Sequence, residues 1–276
     1  MTLLNQTLLD TLTCPVCGAD LHTDDRRVCR CVGMRTHCFD FAKSGYLNLA
    51  GPQAGAGDGK AAVLARRAFL DAGFYQPLSD RINQFLLENT AKLVLDAGSG
   101  EGYYTNRMAA DRDVLGVDLS RDGVDYAARR ARQNGTRAGF AVASLFALPV
   151  KDGAFDAVVN IFAPCAAEEF FRVLKRGGDL ILIGAGERHL MGLKKAVYDN
   201  PYTNPGRADL PESLSLIGRE NLCYEITVEG QTMIDALFSM TPYYWRTSTQ
   251  DKEKLGRLDR LTTEVDFDIF HFRKEL

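Results

Sequence analysis

Leu93-Val94-Leu95-Asp96-Ala97-Gly98-Ser99-Gly100-Glu101-Gly102 decides the fold. An apolar run short enough for a buried strand ends in an acid and breaks into Gly-x-Gly-x-Gly. Such a turn lets backbone approach a ligand closely. A second strand-like run, Asp113-Val114-Leu115-Gly116-Val117-Asp118, places Asp118 and its neighbour Leu119 about twenty residues beyond the first glycine, where an acid that accepts ribose hydroxyls belongs. A dinucleotide loop has the spacing Gly-x-Gly-x-x-Gly and opens a helix that cradles pyrophosphate. Here the third glycine comes one position early. S-adenosylmethionine has no pyrophosphate, so the loop fits that cofactor better than NAD. Asp96, Gly98, Gly100, Glu101, Gly102, Asp118 and Leu119 are the cofactor residues this reading predicts.

Outward from the loop, strand-like and helical runs alternate. Strands are expected at 93–97, 113–118, 138–142, 155–160 and 180–183, and helices near 103–110, 121–133 and 166–175, the last stopping at Gly177-Gly178. This alternation predicts an α/β domain, a parallel sheet covered by helices on both faces in the Rossmann manner. Alternating apolar and polar residues at 223–228 and 265–272 predict a late strand pair at the sheet edge. Ser144 and Leu145 follow the third strand, where an adenine edge is expected. Asn160-Ile161-Phe162-Ala163-Pro164-Cys165 follows the fourth, at the mouth of the site, with Phe162 able either to stack on a base or to join the core. Upstream, two helical stripes run from Lys60 to Asp71 and through Leu78, Ile82, Phe85 and Leu86.

The other informative run is Cys14-Pro15-Val16-Cys17-Gly18. Five of the seven cysteines lie in the first forty residues. The opening Met1-Thr2-Leu3-Leu4-Asn5-Gln6 lacks a basic region and a signal core, so a cytoplasmic location and reduced thiols are expected. Clustered thiols in that setting suggest a metal. Cys14, Cys17 and His37 make three ligands of a structural zinc; Cys31 is preferred as the other, with Cys29 as the alternative. Cys38 should point away. A segment this small scarcely folds without its metal. The expected organisation is therefore a small N-terminal zinc-binding domain over 1–50, a glycine-rich flexible linker over 51–59, and a catalytic domain over 60–276. The formal net charge of −3 excludes a strongly basic nucleic-acid coat, and no apolar run is long enough to span a membrane.

The chain resembles the bacterial large-subunit (23S) ribosomal RNA guanine-N1 methyltransferases, a family with macrolide-resistance relatives. The resemblance rests on Cys-Pro-Val-Cys at 14–17, His37-Cys38-Phe39-Asp40-Phe41-Ala42-Lys43-Ser44-Gly45-Tyr46-Leu47-Asn48-Leu49, and Ala65-Arg66-Arg67-Ala68-Phe69-Leu70-Asp71-Ala72-Gly73-Phe74-Tyr75. It continues through Gly98-Ser99-Gly100-Glu101-Gly102-Tyr103-Tyr104-Thr105, Ile161-Phe162-Ala163-Pro164-Cys165, Arg188-His189-Leu190-Met191 and Met240-Thr241-Pro242. The resemblance implies S-adenosylmethionine and one zinc, methylation of guanine N1 in a 23S RNA hairpin, and a possible homodimer. It also implies that Tyr75 and His189 join the cofactor site. Two departures stand out: Cys29 and Cys31 both lie farther from His37 than the family's third ligand, and Ser99 replaces its usual Cys or Gly.

No dedicated base is obvious. Asn160, Phe162 and His189 are the candidate catalytic residues, with Glu168 and Glu169 as further proton acceptors. RNA contact is expected from Arg26, Arg27, Arg30 and Arg35 around the zinc hairpin and from Lys60, Arg66 and Arg67 beyond the linker, with no DNA and no membrane as partners. Arg172, Lys175 and Arg176 are expected to complement a helix end. Deleting residues 1–50 is expected to leave a folded cofactor binder. The rival readings are a small-molecule methyltransferase with a zinc lid and a non-catalytic RNA-binding protein that keeps the fold.

Overall fold

The computed structural model describes residues 4–24, 27–51, 55, 57–206 and 210–275. Helix α1 (Gln6–Leu9) is capped by Asn5, whose side chain accepts from the Leu8 N–H. Strands β1 (Leu21–His22), β2 (Val28–Cys31) and β3 (Cys38–Asp40) form a small antiparallel sheet in that order. Strand β4 (Leu47–Asn48) and helices α2 (Lys60–Asp71) and α3 (Gln76–Glu88) lead into the alternating region. There follow β5 (Leu93–Ala97), α4 (Tyr103–Met108), β6 (Asp113–Asp118), α5 (Arg121–Asn134), β7 (Ala138–Val142) and β8 (Phe155–Ile161). The chain closes with α6 (Ala167–Val173), β9 (Leu174–Ala185), α7 (Met191–Val197), β10 (Ser215–Glu229), α8 (Gln231–Ser239), α9 (Thr249–Leu255) and β11 (Arg260–Arg273).

The large sheet has the order β10-β11-β9-β8-β5-β6-β7-β4. Strands β9, β8, β5, β6, β7 and β4 are mutually parallel. The late pair is antiparallel, with Cys223 opposite Asp266 and Tyr224 opposite Val265, and β10 lies at the edge as the alternation predicts. The chain winds from β5 through β6 to β7, then crosses back to β8 on the other side of β5. The β5/β8 junction is therefore a switch point, where helices leave in opposite directions and a crevice opens at the strand ends.

Each face of the sheet has its own core. One gathers Val94, Val114, Phe140 and Val159 under Phe69, Leu78, Leu193 and Leu237. The other gathers Leu95, Leu115, Ala141 and Leu182 under Leu8, Leu12, Leu21, Cys29, Leu47 and Phe170. The N-terminal segment thus roofs half of the sheet. A side chain at Gly139 would strike Leu4 and Leu8, so α1 lies flush on β7. Asn5 donates to Asp113, and Thr13 N–H donates to the Pro149 carbonyl, fixing both ends of the contact.

Four expectations change. Residues 47–48, counted in the sequence with the zinc segment, form the outermost strand of the large sheet. The helix expected to 175 ends at Val173, and β9 begins at Leu174 and passes through Gly177-Gly178, which lie inside the strand. Arg172 instead clasps Glu169 and Asp152, while Lys175 pairs with Asp156 from the strand. Of the linker, residues 52–54 and 56 lie outside the described residues. Its far end is docked: the Ser120 hydroxyl donates to the Asp58 carbonyl, and a side chain at Gly57 would collide with the Ser120 backbone.

Removing residues 1–50 strips one face of the sheet, so the expectation of a folded remainder is withdrawn. A gentler test is Leu8→Ala. Leu8 is fully buried, and truncating it should cost about 2–5 kcal/mol in urea unfolding of the metal-loaded protein. A change within about 0.5 kcal/mol would mean that α1 does not form part of this core.

Candidate active site and zinc centre

The turn between Cys14 and Cys17 and the end of β2 bring Cys14, Cys17, Cys31 and His37 together, their ligand atoms all within 4.8 Å of one another. The Sγ atoms of Cys17 and Cys31 are 3.6 Å apart, and Nδ1 of His37 stands 3.5 Å from Cys14 Sγ and 3.4 Å from Cys31 Sγ. Tetrahedral zinc with Zn–S of about 2.3 Å and Zn–N of about 2.0 Å needs S···S near ~3.8 Å and S···N near ~3.5 Å. The spacing fits zinc, with Nδ1 as the imidazole ligand. Cys31 and not Cys29 completes the set. The His37 N–H donates to Cys31 Sγ at 3.2 Å and holds its thiol down to about 6. Cys29 is buried among leucines, and burial pushes its thiol up to about 11. Both point inward as alternate residues of one strand, but only Cys31 reaches the knuckle. Cys38 is exposed on β3 and outside the cluster.

At the sheet's switch point lies a cavity of about 620 Å³. Asp96, Gly98, Ser99, Gly100, Glu101 and Asp118 line it, as do Tyr75 and His189. The loop turns on glycines with φ of +96° at Gly98 and +76° at Gly102. A Cβ at either would overlap Ala163 or Ala127, so no other residue satisfies both backbone and packing. Asp118 accepts from Gly100 N–H at 2.9 Å and Ser120 N–H at 2.7 Å. Each oxygen keeps a lone pair for a ligand hydroxyl. Asp96 accepts from the Thr105 hydroxyl, and burial raises its carboxyl to about 7. Burial does the same to Glu101.

Polar atoms in this wall wait for a partner. Ser99 Oγ, Glu101 Oε2 and Tyr104 OH are buried without a hydrogen bond among the described residues. Such atoms are costly unless a ligand or water meets them. Four carboxyl groups, Asp58, Asp96, Glu101 and Asp118, face the cavity with one guanidinium, Arg66. That balance suits a ligand with net positive charge, a ribose and an amino-acid end, which is the chemistry of S-adenosylmethionine.

The far wall is aromatic. His189 Nε2 lies 3.2 Å from Tyr75 OH, and its Nδ1 sits against the Asp266 backbone. Burial lowers His189 to about 4, so the ring is neutral. Phe162 takes a left-handed backbone, φ +52°, and stands over His189 with ring centroids 5.5 Å apart. It is 46% exposed, and Trp245, also lining the cavity, is 80% exposed. Lys194 is wholly buried; it donates to Asn204 Oδ1 and the Tyr202 carbonyl and so pins the loop that closes this side.

Some predicted residues fall outside the cavity lining. Gly102 starts α4 behind the loop. Asn160 is buried beneath it, donating to the Ala97 carbonyl. Leu119, Ser144 and Leu145 flank the cavity without lining it; Ser144 is engaged with Phe146 N–H. Glu169 is held low by Arg172, and Glu168 is exposed elsewhere on α6, so neither is a base for this site. Arg26 lies outside the described residues. Arg67 pairs with Asp71 and covers the Tyr126 ring. Arg66 faces the cofactor cavity, paired with Asp58 and near Glu101. Gly57, Asp58, Tyr104, Asn204 and the 239–245 wall went unassigned to this cavity in the sequence. The runs Ala65-Arg66-Arg67, Tyr103-Tyr104-Thr105 and Met240-Thr241-Pro242 carry a signal for part of this wall.

Comparison with known proteins agrees with this geometry. The description "Methyltransferase domain" matches residues 94–178, and "RlmA, N-terminal", a zinc ribbon, matches residues 12–53. A 23S rRNA (guanine(748)-N(1))-methyltransferase from Streptomyces fradiae is 33% identical over 264 residues, 89% of each chain. A Bacillus subtilis protein named provisionally as a 23S rRNA guanine-N1 methyltransferase is 28% identical over 93% of this chain and 94% of its own. A Micromonospora griseorubida protein with the same provisional name is 35% identical over 67% of this chain and 69% of its own.

Purified protein should carry about one zinc per chain. Metal analysis should show it lost from Cys31→Ala and kept by Cys29→Ala; the reverse pattern would exchange the two ligand roles. A second test concerns Glu101. Its folded carboxyl titrates near 7, above the unfolded value of about 4.3. Its contribution to stability is therefore full below about pH 4 and lost as pH rises through about 7. Glu101→Gln should flatten that fall and leave the cofactor-free protein about 1–3 kcal/mol more stable than the parent at pH 8. An unchanged pH slope in thermal unfolding would show Glu101 ionised in the fold.

Proposed function

The chain belongs to the family of 23S ribosomal RNA guanine-N1 methyltransferases, and from that premise we propose that it methylates N1 of a guanine in a hairpin loop of 23S ribosomal RNA. One observation carries the reading. A four-ligand zinc cluster and an acid-lined cavity at the sheet's switch point occur in one chain that aligns over 89% of its length with such an enzyme.

S-adenosylmethionine supplies an already activated methyl group, and guanine N1 gives up its proton to water at the open mouth of the cavity as it takes that methyl, so the chain's own task is positioning. Asp118 accepts the ribose hydroxyls. Tyr75 and the neutral His189 brace each other beside the transfer path. His189 is a hydrogen-bonding fixture and not a base, because a ring that protonates only near pH 4 takes up a proton poorly. The guanine must leave its stack to reach the cavity. Phe162 and Trp245, exposed at the mouth, are the platform on which it stacks, an interaction of about 1–3 kcal/mol per base. Residues 1–50 read the RNA and residues 60–276 hold the chemistry. Arg27, Arg30 and Arg35 on the zinc module and Lys60 at the start of α2 make the phosphate contacts, which should weaken with salt.

Mass mapping of 23S RNA from cells with and without the gene should show N1-methylguanosine gained at one hairpin position. The purified chain should reproduce it on a hairpin transcript and leave DNA of the same sequence untouched. Identical RNA in both cells, or methyl transfer only to a small molecule, would reject this function.

A further inference from the structure

We infer that Arg66 is the receptor for the carboxylate of the cofactor's amino-acid end, with Glu101 taking the ammonium beside it. The inference rests on S-adenosylmethionine occupying the cavity and assigns one of its ends to residues first read as an RNA contact and a loop acid.

Arg66 is the one Lys or Arg among the described residues that line the cavity. Helix α2 delivers it, and Asp58 fixes it with a bond to Nη2 at 2.5 Å. Its Nη1 points the other way. It lies 3.8 Å from Glu101 Oε2, beyond hydrogen-bond reach, and 3.5 Å from where a Gly100 Cβ would stand. Glu101 Oε2 is buried with no hydrogen-bond partner among the described residues, and so is Tyr104 OH on the next helix. A cationic donor, a carboxyl group and a hydroxyl thus gather on one side of the cavity, each with bonding capacity to spare. Asp118, at the end of β6, accepts from Gly100 N–H and marks the ribose position beside the same loop. A zwitterion meets all three groups: its carboxylate accepts from Arg66 Nη1 and Tyr104 OH, and its ammonium donates to Glu101. Were Arg66 there only to neutralise Glu101, the pair would close to contact, as Arg66 does with Asp58. The open pair leaves Nη1 and Oε2 each able to bond a ligand in the cavity that both line.

The docked chain before α2 serves the same end. Asp58 holds Arg66 from one side, and its carbonyl is held by Ser120 beside Asp118. The ribose acid and the carboxylate receptor are thereby joined through one segment.

Calorimetry on the full-length, zinc-loaded chain tests the assignment with three ligands: S-adenosylmethionine, its decarboxylated analogue and methylthioadenosine, which lacks the amino-acid end. The parent should prefer S-adenosylmethionine over the decarboxylated analogue by a factor of about ten to one hundred. Arg66→Gln should erase that preference, leaving affinity for the decarboxylated analogue and methylthioadenosine within about twofold. Arg66→Lys keeps the charge but not the fork and should retain part of the preference. The thermal midpoint of each variant, taken alongside, confirms that the fold persists. Equal weakening of all three ligands by Arg66→Gln would make Arg66 a structural residue and overturn the inference, as would an unchanged preference. A parent that binds none of the ligands would instead overturn the cofactor reading on which the inference stands.

Discussion

A parallel sheet cannot leave a face in water. Its strands are apolar on both sides, and each face must be covered. Here helices α4 and α5, together with α2, α3, α7 and α8, cover one face. The other is covered at one end by α6 and, over β5, β6 and β7, by the N-terminal segment with its zinc-held sheet. The metal module is therefore not an appendage. Its inner leucines are part of the catalytic core, and its outer surface carries the arginines. Zinc holds the outer half together, where a short three-stranded sheet has too little core of its own.

The metal module and the cavity share these strands. The zinc-held segment rests on strands β6 and β7, and β6 ends in Asp118, which lines the cavity. After β4 the chain returns along the cofactor loop, docks Asp58 beside Ser120 and enters α2 with Arg66 turned into the cavity. One stretch of chain thus leaves the metal module and finishes the wall of the cofactor site.

The cavity stores unfavourable energy. Buried carboxyls, unpaired polar atoms and a left-handed phenylalanine all cost stability in the absence of ligand. A cationic cofactor with an amino-acid end is chemically matched to the carboxyls and the unpaired polar atoms. His189 stands apart. Its burial keeps it neutral, so it shapes the wall through Tyr75 and Asp266 without carrying charge into a site that already holds several carboxyls.

Local patterns in the sequence were enough for the strand–loop–acid unit, the Cys-x-x-Cys knuckle and the order of the alternating elements. Strand apolarity, glycine spacing and ligand spacing are all set within a few residues, and the structure keeps each of them. The sequence preferred Cys31 and left Cys29 open, because both face the same side of one strand; the position of His37 closes the choice in favour of Cys31. The role of Arg66 needed three dimensions: in sequence it is half of a basic pair, and the helix turns it towards the cavity while Arg67 lies over Tyr126. Likewise a glycine-rich stretch read as a linker ends against Ser120, and residues 1–50 read as separable are built into the sheet's core. The sequence by itself determined which chemistry the chain carries. The tertiary structure decided which residues share a cavity and which segments can stand alone, because burial and long-range packing join positions that no local pattern relates.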